Sequence, residues 1–280
     1  GKLSASEEKQ IQEAVDATMN LDWEMRRFSH LLQMIPKIAD DDNCLYYRLA
    51  KWCESENGRF AWCLDNPENL FNPNDFWRVG FDLTDILKDN YPPTAPVLAY
   101  MFHLRNLMMD KVAEQDAWFA SIIEEFWWPL RFSQTEELML KILKTDRKRK
   151  GWLILVSQSP EDAINSRIFP AIVQQTPTKI FLPNPDAEYE NSYKRCGISR
   201  KEYEELVKLP LESRTFLVKQ SKQSAFAKLD LHGMHEAIAV LSGNTANVEL
   251  LHRIMAEYGD DVRDWYQPFI MAATKGRAVF

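Results

Sequence analysis

Two apolar stretches of this 280-residue sequence end in side chains suited to phosphate chemistry. Trp118-Phe-Ala-Ser-Ile-Ile123 has the length and composition of a buried strand, and Glu124 and Glu125 follow it directly. Trp152-Leu-Ile-Leu-Val156 is a second such run, followed by Ser157-Gln158-Ser159. In an open parallel sheet, ligands bind beyond the carboxyl ends of the strands, so residues that end strands are the informative ones. Two carboxylates there can hold a hydrated Mg2+ and polarise a water. That is the chemistry of the acidic strand-end element in phosphate-loop nucleotide hydrolases. The bland alternative is a solvated strand end. Gln158 follows Glu125 by one crossover of βαβ length, which predicts that both lie on one edge of the sheet. An amide in that place hydrogen-bonds a γ-phosphate and an attacking water, and so senses hydrolysis. Ser157 and Ser159 also precede a helix start, and the two readings are compatible.

The basic run Lys144 to Lys150 falls at a predicted helix C-terminus, where the dipole favours cations. A sharper reading is an arginine finger, a guanidinium that neutralises transition-state charge in a neighbouring subunit's site. Arg147, Arg149 and Arg167 are candidates, and the sequence does not choose among them. The phosphate loop itself is missing. A G-x-x-x-x-G-K-[ST] motif needs a Gly-Lys pair, and the only one is Gly1-Lys2, followed by Leu3. His232 and His235 have no obvious third ligand and read as turn histidines. Cys44, Cys53, Cys63 and Cys196 form no C-x-x-C pair, so a zinc site is not expected and free thiols are.

The elements that must position these side chains are legible in outline. Ser4-Ala-Ser-Glu7 is a capping box opening a helix through Ile11, Ala14, Val15 and Met19. Further helices run from Phe28 to Ile35 and through Leu45, Leu49, Trp52 and Cys53. Residues 1–60 thus read as an all-helical subdomain, and 61–76, with Pro67 and Pro73, as a connection. From 77 to 243, strands alternate with helices. Strands are expected at 78–83, 118–123, 152–156 and 179–182, with helices after Pro96, Ser133 and Ser159. Such repetition implies a mostly parallel sheet with right-handed crossovers. Residues 215–218 and 225–231 read as a terminal antiparallel hairpin with its loop at 221–224, and 244–280 as C-terminal helices.

Composition bounds the class. With 34 Lys+Arg against 41 Asp+Glu, net charge is −7; 45% of residues are hydrophobic and 27% charged. This fits a folded globular chain and excludes disordered, collagen-like and disulfide-stapled classes. The acidity argues against coating nucleic acid by bulk charge, though not against a local basic patch. No apolar run approaches the ~20 residues that span a bilayer. There is no signal peptide, and the start at Gly1-Lys2 without Met reads as a fragment, a processed chain or an expressed piece.

Longer motifs carry a resemblance. Gly151-Trp-Leu-Ile-Leu-Val-Ser-Gln-Ser-Pro-Glu-Asp-Ala163 is followed by Gln174-Gln-Thr-Pro-Thr-Lys-Ile-Phe-Leu-Pro-Asn-Pro185, Phe216-Leu-Val-Lys-Gln220 and Leu241-Ser-Gly-Asn-Thr-Ala-Asn-Val-Glu-Leu250. In this order, over most of residues 75–260, they resemble the ATPases of bacterial type IV secretion and conjugation systems, the CagE/TrbE/TrwK type. The resemblance implies a RecA-like P-loop NTPase core with an N-terminal all-helical insertion, and ATP and Mg2+ as ligands. It implies an oligomer, often a hexamer, working with inner-membrane secretion components at the cytoplasmic face of that membrane. The activity implied is ATP hydrolysis energising pilus biogenesis and transfer of DNA or protein substrates. By motif, Glu125 would be the carboxylate activating water, Glu124 would take the Mg2+-side position and Gln158 would be the sensor. Asp is usual where Glu124 stands, and the extra methylene moves the carboxylate one bond further. The family carries its phosphate loop upstream of the helical insertion, so these 280 residues resemble the C-terminal part of the motor, expected to be inactive alone. Two other readings stay open: a non-hydrolysing docking component of the secretion complex, and a DNA-pumping coupling-type ATPase.

Overall fold

The computed structural model describes residues 3–68 and 70–274. The Gly1-Lys2 pair and the last six residues of the expected span 244–280 lie outside them. Two compact units follow one another, residues 1–176 and 177–280. The stretch 77–243 therefore contributes to both.

The first unit opens with α1 (Ala5–Met19), α2 (Phe28–Leu32), α3 (Leu45–Ala50) and α4 (Ala61–Leu64). Ser4 and Glu7 form the capping box that starts α1, each side chain accepting the other residue's backbone N–H. Ala14 of α1 packs with Ile35 and Leu45, joined by Ile11, Leu31 and Leu49. Asp65 ties this region together. It is buried, and its carboxylate accepts the backbone N–H groups of Ser29 at 3.2 Å and Glu54 at 2.7 Å and the Ser29 hydroxyl. A buried carboxylate is tolerated only with such partners. Beneath the same region, burial pushes the Cys53 thiol up to about 12. All four cysteines are free.

A 21-residue helix, α5 (Thr94–Glu114), buries Val97, Leu98, Phe102, Leu104 and Met109. It packs on the strand β1 (Phe119–Ile123) and on α7 (Ser133–Thr145), which follows the short α6 (Trp127–Leu130). After α7 the basic run winds as a single 3-10 turn, Asp146–Arg149. Lys150 in the left-handed region (φ 56°) then turns the chain into β2 (Gly151–Leu155). Space is tight at the start of β2: a Cβ on Gly151 would stand 2.6 Å from the Met109 methyl, which would have to move, and 3.0 Å from Asp146 Cβ. β1 and β2 pair in parallel, with Ser121 opposite Leu153. The unit ends with α8 (Glu161–Ile164) and α9 (Phe169–Gln175).

Three expectations are corrected here. Residues 78–83 form no strand. The alternation of Val79, Phe81 and Leu83 is intact, but Asp82 closes a local turn by accepting both the backbone N–H and the hydroxyl of Thr84, and the segment joins no ladder. The strand at 179–182 is real but not part of the parallel sheet. As β3 (Thr178–Phe181) it pairs antiparallel with β4 (Thr215–Gln220), which pairs antiparallel with β5 (Gln223–Lys228). Among the described residues the parallel sheet thus has two strands and the antiparallel sheet three. The hairpin loop is also shorter than expected. Gln220 pairs with Gln223 across a two-residue turn, and Ser221 takes the left-handed φ (54°) that such turns demand.

In the second unit, α10 (Arg200–Val207) lies over this sheet around Tyr193, Ile198, Leu206 and Leu217. The helices α11 (His235–Leu241), α12 (Thr245–Tyr258) and α13 (Val262–Thr274) bury Ala239, Phe269 and Ile270. Glu202 joins α10 to the sheet. It closes the capping box of α10 with Ser199, and its carboxylate accepts from Lys219 of β4 at 2.9 Å. Burial alone would raise this carboxyl; the hydrogen bonds from Lys219, Ser224 and Ser199 outweigh burial and hold it at about 2. A folded value below the unfolded one means that the stabilisation is complete above about pH 5 and is lost as pH falls toward 2. Glu202→Gln should therefore cost about 2–3 kcal/mol near neutrality, measured by urea unfolding, with the difference from the parent shrinking as pH drops through 4.5 to 2. A pH-independent difference would remove Glu202 from the acid response.

Candidate functional site

The tips of β1 and β2 meet at a one-residue bulge in the ladder, with Glu124 and Glu125 together opposite Val156. The Val156 N–H donates to Ile123 O at 3.0 Å, and the Val156 carbonyl accepts from Phe126 N–H at 3.2 Å. One residue of the second strand thus spans three steps of the first, and Glu124 and Glu125 are pushed out between them. Glu125 takes a left-handed backbone (φ 47°), and its carbonyl accepts from Trp128 N–H at 3.0 Å, turning the chain into α6. A non-glycine residue in this region carries strain of about 1–2 kcal/mol, which persists where the surroundings over-determine it.

Each carboxylate oxygen of Glu125 is held by one donor. Gln158 Nε2 donates to Oε1 at 2.8 Å, and the Trp127 indole Nε1 donates to Oε2 at 2.6 Å. Glu125 is half-buried and Gln158 exposed. The carboxylate and the amide expected from strand order to share an edge are therefore in direct contact. The loop that presents Gln158 is braced by Asp162, whose carboxylate accepts from the Ser157 hydroxyl at 2.5 Å and the Ser159 N–H at 3.2 Å. Glu124 is exposed and makes no hydrogen bond among the described residues. It is free to meet a cation, but nothing nearby holds its side chain.

Behind the strand tips, Arg105 of α5 forms an ion pair with Asp146 and donates to the Ser121 hydroxyl at 3.0 Å. Both partners are largely buried, so this pair locks helix, strand and the end of α7 into one frame. The candidate arginines divide sharply. Arg149 is paired with Asp110. Arg167 is paired with Glu136 and Glu137 of α7, and Ser166 donates to Glu136 at 2.8 Å. Burial pushes the Glu136 carboxyl up, but Arg167 and Ser166 outweigh it and hold it below the ordinary range; Glu136 in turn holds the Arg167 guanidinium above its own. Arg147 is exposed and unpaired among the described residues. His232 and His235 belong to no metal-holding group, and no cluster of three or more His, Cys, Asp or Glu forms one among the described residues.

Trp127 was not anticipated as a partner of Glu125. The available signal was a side chain with a single N–H donor two residues beyond a carboxylate, in a segment that had to turn.

No family model matches the chain. Individual proteins do. The type IV secretion system protein virB4 of Bartonella henselae is 35% identical over 271 residues, 96% of this chain and 33% of that protein. The virB4 protein of Brucella suis is 33% identical over 274 residues, 95% of this chain and 32% of that protein. The type IV secretion system protein PtlC of Bordetella pertussis is 30% identical over 272 residues, again 95% and 32%. The chain belongs to the VirB4 family of type IV secretion system proteins. It spans about a third of the length of these relatives. A solved structure of VirB4 from Thermoanaerobacter pseudethanolicus has the same fold, with a TM-score of 0.59 over 82% of this chain and 65% of that one at 17% identity. Among the described residues, no helix of this VirB4-family chain is long and apolar enough to cross a membrane.

Proposed function

We propose that these residues form the C-terminal part of a nucleotide-driven motor of a type IV secretion system, with Glu125 as the base that activates water. The contact between Glu125 and Gln158 at the carboxyl ends of two parallel strands is the observation that carries this reading. A carboxylate offers about four acceptor positions; Gln158 and Trp127 use two, so two remain, enough to take the proton of an attacking water. Gln158 gives its N–H to Glu125 and keeps its carbonyl. Exchange of that N–H from Glu125 to a γ-phosphate would couple the amide to the state of the nucleotide. The exposed Glu124 stands where it can meet the hydration shell of Mg2+, which would supply charge neutralisation at the phosphates. ATP is the nucleotide the family resemblance implies.

Two features fit a larger motor. The outward side chains of the parallel pair, Ile122, Trp152 and Ile154, are apolar and exposed, although parallel sheets are ordinarily covered on both faces. In this reading a further layer of the same protein covers them, and the phosphate loop lies outside these 280 residues. The free guanidinium of Arg147 is the one we assign to a neighbouring subunit's site in a homo-oligomer, since Arg149 and Arg167 already hold carboxylates of their own chain. Docking to inner-membrane secretion components and transfer of DNA or protein substrates follow from the same reading. A docking role without hydrolysis is the competing one, favoured by the lack of a phosphate-loop motif in the sequence.

In the intact protein, Glu125→Gln should lower ATP turnover by on the order of 10²-fold or more while sparing nucleotide affinity. Near-normal turnover would exclude Glu125 as the base and favour the docking role. Arg147→Ala should lower turnover on the order of 10³-fold without changing thermal stability, and a mixture with Glu125→Gln subunits should recover part of the activity. An equal loss in Arg149→Ala, with Arg147→Ala unaffected, would move the assignment. Calorimetric titration of the 280-residue chain with Mg-ATP should show no binding at micromolar concentrations, because the phosphate contacts are missing. Tight binding would mean that the cradle is present in a form no motif reveals.

A further inference from the structure

We propose that Trp127 is a positioning residue for Glu125, its indole N–H fixing the orientation in which that carboxylate meets a water. The inference rests on the reading of Glu125 as the base.

The argument starts from the turn. Glu125 sits on a left-handed residue between two backbone pins, so its Cα is fixed, but the bonds of its side chain are not. Gln158 is a weak restraint by itself, because it is exposed and lies on a separate loop. Trp127 is the opposite kind of group. It has only two side-chain torsions, and its ring is stacked on Trp128 with centroids 4.7 Å apart and planes 25° apart. Trp128 is buried. The Arg131 guanidinium covers both rings, at 5.7 and 4.6 Å from their centroids, and is itself held by Asp89 at 2.5 Å. The indole N–H therefore points from an anchored platform, and it meets Glu125 Oε2 at 2.6 Å.

The chemistry of the donor matters as much as its place. An indole N–H donates and never accepts, so it cannot compete with Glu125 for a proton. It occupies one oxygen and leaves the remaining acceptor positions to water and Gln158. When Gln158 leaves for a phosphate, the indole is what keeps the carboxylate from rotating. Misplacement of a reacting group by 1 Å can cost on the order of 10²-fold in rate, so loss of one such restraint falls within a measurable range.

The test pairs kinetics with a direct reading of the hydrogen bond. In the intact protein, Trp127→Phe keeps an aromatic ring on Trp128 and removes the donor; kcat for ATP should fall on the order of 10-fold with KM unchanged, and Trp127→His, which restores a ring N–H, should regain part of it. An unchanged kcat, or a loss shared by Trp127→His and matched by lost thermal stability, would overturn the positioning role. In the 280-residue chain, the indole 15N–1H resonance that disappears in Trp127→Phe should move in Glu125→Ala. A resonance indifferent to that change would overturn the hydrogen bond, whatever the kinetics show. Retained hydrolysis in Glu125→Gln is a different result: it refutes the base assignment, while the resonance still reports on the contact.

Discussion

Between Ile123 and Phe126 the chain carries one residue more than a regular ladder while remaining bonded on both sides to Val156 of the neighbouring strand. Almost everything about the site follows from that constraint. A regular ladder would send Glu124 and Glu125 to opposite faces of the sheet. The insertion instead pushes both out at the strand tip, and the left-handed turn at Glu125 aims its side chain across toward the loop after β2. The strain is affordable because the two Val156 bonds and the Trp128-to-Glu125 bond over-determine the turn.

The same constraint explains which parts of the site the sequence could reveal. Apolar strand length, two acidic residues and one βαβ interval suffice to bring Glu125 and Gln158 to one edge, because parallel register is nearly forced once the crossover is short. Trp127 escapes that logic. Its role depends on the turn at Glu125, and bulges have no periodic signature. The arginines escape it for another reason. Arg149 and Arg167 differ from Arg147 only in having a carboxylate within reach, and those carboxylates stand 39, 31 and 30 positions away in the chain.

The fold shows a similar division. The Ser4 capping box, the long helix α5 and the strands β1 and β2 are local or strongly periodic features and were legible. The partner of β3 was not. Thr178–Phe181 has the composition of any short strand, and its sheet is chosen by the hairpin that follows some 34 residues later. Residues 78–83 show the converse error: alternation over six positions is cheap to produce by chance, and Asp82 spends the backbone on a turn.

The parallel pair raises a last physical point. Trp118, Ile122, Trp152 and Ile154 are all exposed, at 70%, 65%, 56% and 42%. A strand pair that faces water on one side would carry polar residues on that face; here Ala120, Ile122, Trp152 and Ile154 make the outward face apolar, as on strands buried on both faces. The inward half of that pattern is satisfied within the first unit, where Ser121 is buried against Arg105. The outward half is a demand for another layer. In the proposed reading that layer comes from the same protein, and the strand tips that present Glu125 and Gln158 form the border toward the segment carrying the phosphates. A carboxylate at such a border is where water and a terminal phosphate would meet, and that is why its orientation repays two donors rather than one.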